Sequence, residues 1–315
     1  MSMCQSLIHP LYLLSEQSRF LRGGRVRPVM LSVMQRLSRH DAKAARRAFE
    51  AAADGPSYLP IAQLPALIAR YAKSPKRWDK RKPADKAAGR AIEVLKTVRR
   101  HLPTNLSAVQ AVELACGDGR VAMHLARSLG RVTGTDLSDH FFADEARKLV
   151  PIRLEDAATL SFADASIDLL YTFDAFEHFD NPAAVLAEAH RVLKPGGVLY
   201  ASFGPLWNSA FGPHQWGRID VPYVHHLFDA DALDAYADAH DRRRLTRLIN
   251  RLPLAYFRNL FHARDERFNR VHYVEKLNVS SADLIIEHPS CFQAKVDSFD
   301  ELCVRSIEVV IKKMS

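Results

Sequence analysis

The sequence is poor in the features that mark specialised chains. Its four cysteines, Cys4, Cys116, Cys291 and Cys303, never form a CxxC pair, which excludes a disulfide framework and the common zinc-finger and redox spacings. HExxH and two-histidine-plus-carboxylate spacings are also missing, so no metal centre is expected. The longest apolar stretches, such as LIHPLYLL near the start, fall well short of the ~20 residues that span a bilayer, which excludes an integral helical anchor. No internal repeat or low-complexity tract appears, which excludes a solenoid. The opening residues lack the charged start, apolar core and cleavage site of a secretory signal, and a cytoplasmic protein is the expectation.

What is present is a globular composition, with 48% hydrophobic and 25% charged residues, enough apolar side chains for a core without staples. Charge is uneven. Residues 1–111 hold 21 Lys and Arg against 7 Asp and Glu, whereas the rest of the chain holds 23 against 29. A basic arm beside an acidic body suggests nucleic acid, an anionic membrane or an acidic substrate as partner. Apolar residues at three- and four-residue steps make residues 1–103 a helical segment. A basic loop, KSPKRWDKRKPADK, interrupts it around Trp78, between Pro75 and Pro83.

From Val109 the texture changes to short apolar runs ending in Cys, Asp or a turn. The proposed strands are 109–116, 131–136, 151–156, 167–173 and 198–204, separated by helical or loop sequence. Such alternation predicts an α/β fold, a doubly wound and mostly parallel sheet whose ligands sit at the carboxyl ends of the strands. Residues 205–275 break the rhythm and read as a helical insertion or lid after the fifth strand. Strand character returns at 283–288 and 306–313. The expected organisation is a helical segment over 1–103 and one α/β domain over 104–315.

The strongest local signal is VELACGDGR, in which Gly117 and Gly119 form a turn between a strand and the helix VAMHLARSLG. Glycine tolerates positive φ and lets a ligand approach the backbone, and the helix start offers unpaired N–H groups. Asp136 ends the next strand, where a carboxylate can accept from both ribose hydroxyls of a nucleotide-like cofactor.

In the order VELACGDG, GTD, EDAATLSFADASIDLLYTFDAFEHF and RVLKPGG, residues 109–204 resemble class I S-adenosylmethionine-dependent methyltransferases. The stretch GPLWNSAFGPHQWGRIDVPYVHHLF further resembles a bacterial subgroup with a GPL segment after the fifth strand. The resemblance implies a Rossmann-like, seven-stranded fold, S-adenosylmethionine as cofactor, and methyl transfer as activity. Residue by residue, it places Glu113 at the acidic position of the first motif, with Ala115, Cys116, Gly117 and Gly119 in the turn beneath the methionine portion. Asp136 would bind the ribose, Leu137 would pack on the adenine, and Asp156 with Ala157 would meet the adenine amino group. Thr172 and Phe173 would sit below the cofactor, and Arg191 to Gly197 would close the sheet structurally. One position departs from the family: Ala115 stands where the first glycine is usual, and alanine fits there if its φ is negative.

A sulfonium already carries its leaving group, so alignment of the acceptor and exclusion of water are the main tasks of such a site. A base is needed only for an acceptor protonated at neutral pH. The candidates are Asp174, His178 and His214, with Glu177, His225 and His226 nearby in sequence. The expected acceptor is a small molecule or an envelope-related compound. The alternatives are an RNA methyltransferase using the basic N-terminal segment, a binding module without turnover, or an NAD(P)-dependent oxidoreductase, since Gly117, Gly119 and Ala122 satisfy GxGxxA. Residues 241–270 carry nine arginines interleaved with apolar residues. They read as a lid or as a peripheral contact with an anionic membrane.

Overall fold

The computed structural model describes residues 41–314 apart from 54, 73–81, 103–104, 215–218, 243, 245–248 and 263–266. The amphipathic run before residue 41, the basic loop around Trp78 and Trp216 therefore lie outside the described residues. The chain divides into two compact units.

The sheet unit takes residues 80–207, 247–277 and 304–315. Its strands are β1 Gln110–Leu114, β2 Arg131–Asp136, β3 Ile152–Leu154, β4 Ile167–Phe173, β5 Leu193–Phe203, β6 Phe268–Leu277 and β7 Val304–Lys313, in the order β3-β2-β1-β4-β5-β7-β6. β1 to β5 are parallel, whereas β7 runs antiparallel to both β5 and β6. This is the expected Rossmann-like, mostly parallel architecture. Among the described residues its α-helices are α1 Pro83–His101, α2 Arg120–Leu125, α3 Asp144–Arg147, α4 Pro182–Val192 and α5 Leu254–His262.

Alternation along the strands divides the core in two. Val112, Leu114, Leu170, Leu199 and Val309 face Val185, Leu186 and Ala189 of α4 and Phe257 and Phe261 of α5. Ala111, Leu169, Tyr171, Val198 and Val310 face Ala87, Ala91, Val94 and Val98 of α1 and Val121 and Leu125 of α2. The four- and three-residue steps of the α1 apolar positions make one stripe, and Pro83 starts the helix where its missing N–H costs nothing. Asn181 caps α4 by accepting from the Ala184 amide at 3.1 Å.

The second unit is helical, built from the described residues of 41–72 together with 208–246 and 278–303. Its core joins Phe49, Leu64, Tyr223, Phe228, Phe292 and Leu302. The buried Tyr223 hydroxyl donates to the Leu302 carbonyl at 2.9 Å. Arg70 grips Glu287 through two bonds of 2.7 and 2.8 Å, and also meets Asp283 at 2.7 Å.

Three expectations change. The division is not a single cut near residue 103, because α1 carries an apolar stripe that packs in the sheet unit while 278–303 joins the helical one. DLIIEH is helix, Ala282–Glu287, not strand, since a six-residue apolar run satisfies either period and here Ala282, Leu284 and Ile285 bury in a helical core. The insertion is not wholly helical: β6 forms the sheet's outer strand, its alternation obscured by Arg270, His272, Glu275 and Lys276.

Candidate active site

The carboxyl ends of β1, β2, β3 and β4 gather most of the residues singled out from the sequence. β1 ends at Leu114, and the chain turns at once through Ala115, Cys116 and Gly117 into α2. The turn is tied to β2 at two points, where the Cys116 amide donates to the Thr135 carbonyl at 2.9 Å and the Gly117 amide donates to Asp136 Oδ2 at 2.9 Å. Asp136 Oδ1 accepts from the Ser138 amide at 3.3 Å. The Asp136 carboxylate and the glycine turn are thus one bonded unit.

Both glycines are required by geometry. Gly117 has φ +55°, and no heavy atom lies within 4 Å of the place a Cβ would occupy, so its backbone fronts open space. Gly119 has φ +71°, and a Cβ there would lie 2.2 Å from the Phe142 ring. Ala115 is also in the left-handed region, at φ +51°. The condition under which alanine fits, a negative φ, is therefore not met: the turn imposes the glycine conformation on an alanine, which the Cβ resists by roughly 1–2 kcal/mol.

Beneath the turn, Glu113 is 3% exposed, and its Oε2 accepts from the Ala122 amide at 2.9 Å, tying β1 to the first turn of α2. Burial, only partly offset by that bond, pushes its carboxyl up to about 8. Cys116 packs its thiol toward Gly134, where a Cβ would come within 2.8 Å of Sγ, so its side chain is a spacer between β1 and β2. Thr172 is fully buried and donates to the Leu114 carbonyl at 2.9 Å. Ala157 is buried in the core below β3. Leu137, at 77% exposure, stands open beside Asp136, and exposed Asp156 accepts the Ala158 amide on Oδ1 at 2.8 Å.

The residues fit the implied cofactor. A nucleoside needs an apolar surface, a carboxylate at the ribose and close backbone approach, and these correspond to Leu137, Asp136 and the unobstructed Gly117.

After β4 the chain turns through Asp174, at φ +50°, with Glu177 and His178 following. Asp174 Oδ2 pairs with Arg90 and, at 3.5 Å, with Lys86. The Arg90 guanidinium also lies 4.8 Å from the centre of the Phe173 ring. These α1 residues escaped the sequence reading. Lys86 and Arg90 are one helical turn apart, but nothing local connects them with residues more than 80 positions away. Glu177 is 1% exposed, and its Oε1 accepts from the Gly204 amide at 2.9 Å. Burial, reinforced by repulsion from Asp174, pushes its carboxyl up to about 8. Asn250 pins the same turn, donating through Nδ2 to the Phe176 and Phe179 carbonyls at 2.8 and 3.0 Å.

Asp174 and His178 lie on one turn of the sheet unit, and His214, at φ +52°, is a residue of the helical unit. There His226 is 3% exposed, with Nε2 3.2 Å from the Asn208 carbonyl oxygen. Burial, helped by Lys295, lowers its imidazole to about 3, which makes it a neutral structural residue.

Residues 112–201 match the family described as a methyltransferase domain. A probable S-adenosylmethionine-dependent methyltransferase of Mycolicibacterium smegmatis is 36% identical over 93 residues, 29% of this chain and 36% of that protein. A ubiquinone/menaquinone biosynthesis C-methyltransferase of Desulfotalea psychrophila is 33% identical over 137 residues, 41% of this chain and 55% of its own length. Among solved structures, a SAM-dependent methyltransferase from Methanosarcina mazei aligns over 69% of this chain and 97% of its own, at 17% identity and a TM-score of 0.45. The chain spans about a third to a half of the length of these curated relatives. Over residues 112–201 this chain is thus similar to the methyltransferase domain family, and its likeness to an S-adenosylmethionine-dependent relative lies in a stretch of 93 residues.

Proposed function

We propose that the protein transfers a methyl group from S-adenosylmethionine to a small-molecule or envelope-related acceptor. The observation that carries this reading is the bond between the open Gly117 turn and Asp136, within the segment that matches the methyltransferase domain. The cofactor, when bound, supplies an electrophilic methyl on a sulfonium.

The chain's own residues would do the rest. Gly117 and Gly119 admit the methionine portion, Asp136 receives the ribose hydroxyls, Leu137 covers the adenine, and Asp156 accepts from its amino group. Phe173, under the Arg90 guanidinium, walls the carboxyl end of β4 and helps exclude water. For an acceptor that must lose a proton, His178 and Asp174 are the candidates on the sheet unit and His214 the candidate on the helical one.

Within the Arg-rich stretch, Arg244 is paired with Asp238, and Arg258 with Glu275 at 2.7 Å, so these cations are engaged within the protein. The match lends no support to the oxidoreductase alternative. Among the described residues, no helix is long and apolar enough to cross a membrane. Calorimetric titration with S-adenosylmethionine, S-adenosylhomocysteine and NADH tests the cofactor. Incubation of methyl-labelled cofactor with fractionated host extract tests the acceptor: label is expected in the small-metabolite or lipid fraction, and label in RNA alone would refute the proposed class.

A further inference from the structure

On the sheet face covered by residues 155–166 lies a second concavity, of about 200 Å³, running from Gln110 and Arg131 at the amino ends of β1 and β2 to Arg153 on β3, with Thr133, Ser161 and Ser166 along it and an apolar floor from β1 and β4. Topology explains it. The crossovers β1–β2 and β4–β5 carry helices, but residues 155–166 between β3 and β4 form none. The sheet face there is covered by a loop. By strand alternation and register, Gln110, Thr133 and Arg153 project to this same face. Gln110 and Arg131 are the first residues of their strands, so the length of β1, about 13 Å at 3.3 Å per residue, separates them from the cofactor turn.

The lining holds two guanidinium groups and no carboxylate. Elsewhere in the sheet unit, Arg90, Arg120, Arg147, Arg191 and Arg258 each pair with an acid. Arg131 and Arg153 have no carboxylate partner among the described residues. Arg153 is instead held in place, donating from Nη1 to Ser161 Oγ at 2.7 Å, with its guanidinium 4.1 Å from the centre of the Phe162 ring. The neighbouring acids accept from other donors, except at Glu155 Oε1, which is buried without a hydrogen-bond partner. Glu155 accepts the Ser161 amide at 3.0 Å, and Asp168 accepts the Gln110 amide at 2.9 Å and both its oxygens meet Lys194. An ordered guanidinium, a second that lines the same cavity, and hydroxyl and amide groups between them supply the donors that the many acceptor oxygens of a phosphate require. The volume, equal to about seven waters, admits the phosphate and a short carbon body.

We propose that this cavity is a binding site for a small phosphate monoester, separate from the cofactor site, with Arg131 and Arg153 as its anion-holding residues. The test is titration of the full chain with inorganic phosphate and with glycerol 3-phosphate, followed by calorimetry and thermal unfolding at fixed ionic strength, with chloride as control. Saturable binding is expected, weakened tenfold or more in Arg131→Gln and in Arg153→Gln and unchanged in Arg127→Gln. Because Arg153 also braces the loop, Arg131→Gln, altering an exposed side chain, decides the matter if the other variant fails to fold. S-adenosylmethionine should bind equally well with and without saturating phosphate. Absence of saturable binding, affinity unaltered in Arg131→Gln, or competition with S-adenosylmethionine would each overturn the proposal.

Discussion

The Gly117 amide donates to Asp136 Oδ2 across 2.9 Å, joining the turn after β1 to the end of β2. One carboxylate thereby holds the turn, and in the proposed function it would also offer its remaining acceptor capacity to the cofactor. Asp136→Ala is expected to weaken S-adenosylmethionine binding by about 1–3 kcal/mol, through loss of charge-assisted hydrogen bonds. Asp136→Asn keeps an acceptor for Gly117 and should lose less. Calorimetric titration of both variants distinguishes the duties, and affinity unchanged in Asp136→Ala would remove this residue from the site.

Ala115 makes a prediction of the opposite sign. At φ +51° its Cβ is strained, and the position is one where glycine is at ease. Ala115→Gly removes roughly 1–2 kcal/mol of left-handed strain and gives back about half of that in unfolded-chain entropy. The net expectation is unchanged or slightly higher stability, by no more than about 1 kcal/mol, or about 2–4 °C in Tm. A loss of several degrees would show that the methyl group makes packing contacts worth more than the strain.

Gly119 tolerates no such exchange. A Cβ would fall 2.2 Å from the Phe142 ring, and the 5% exposure of Phe142 leaves the ring little room to move. Gly119→Ala combines overpacking with an unfavourable φ, for a cost of about 2–4 kcal/mol. Pairing it with Phe142→Leu should recover part of the loss in a double-mutant cycle followed by thermal unfolding. Strict additivity would mean the two residues do not meet.

How much of this was readable in advance follows from how local each cause is. β2 and β4 lie where expected, residue for residue, because their apolar runs are bounded by turn-forming residues on both sides. The glycine turn and Asp136 were legible for the same reason: backbone geometry demands those residue types at that spacing. The helix Ala282–Glu287 was not, since six residues cannot separate a period of 2 from one of 3.6. Nor were Arg90 over Phe173 and Phe142 beneath Gly119, which are products of chain folding with no local signature. The sign of φ at Ala115 was hidden because a sequence shows which residue is present, not the conformation its neighbours impose.

Two buried carboxyls give the sheet unit a pH dependence of definite sign. Glu113 and Glu177 have their carboxyls raised from an ordinary value of 4.5 to about 8, in both cases chiefly by burial. In the folded protein they keep their protons up to about pH 8, whereas in the unfolded chain they lose them above 4.5. The unfolded state therefore binds fewer protons between these values, and stability falls as pH rises through that window. The contribution is complete below pH 4.5 and gone above about 8. Glu113→Gln and Glu177→Gln keep oxygens that can accept from Ala122 and Gly204 but cannot ionise. Relative to wild type, each variant should gain in Tm as pH is raised from 5 to 8, and the double variant should gain most. Curves of Tm against pH that run parallel for wild type and both variants would mean that neither carboxyl titrates on unfolding.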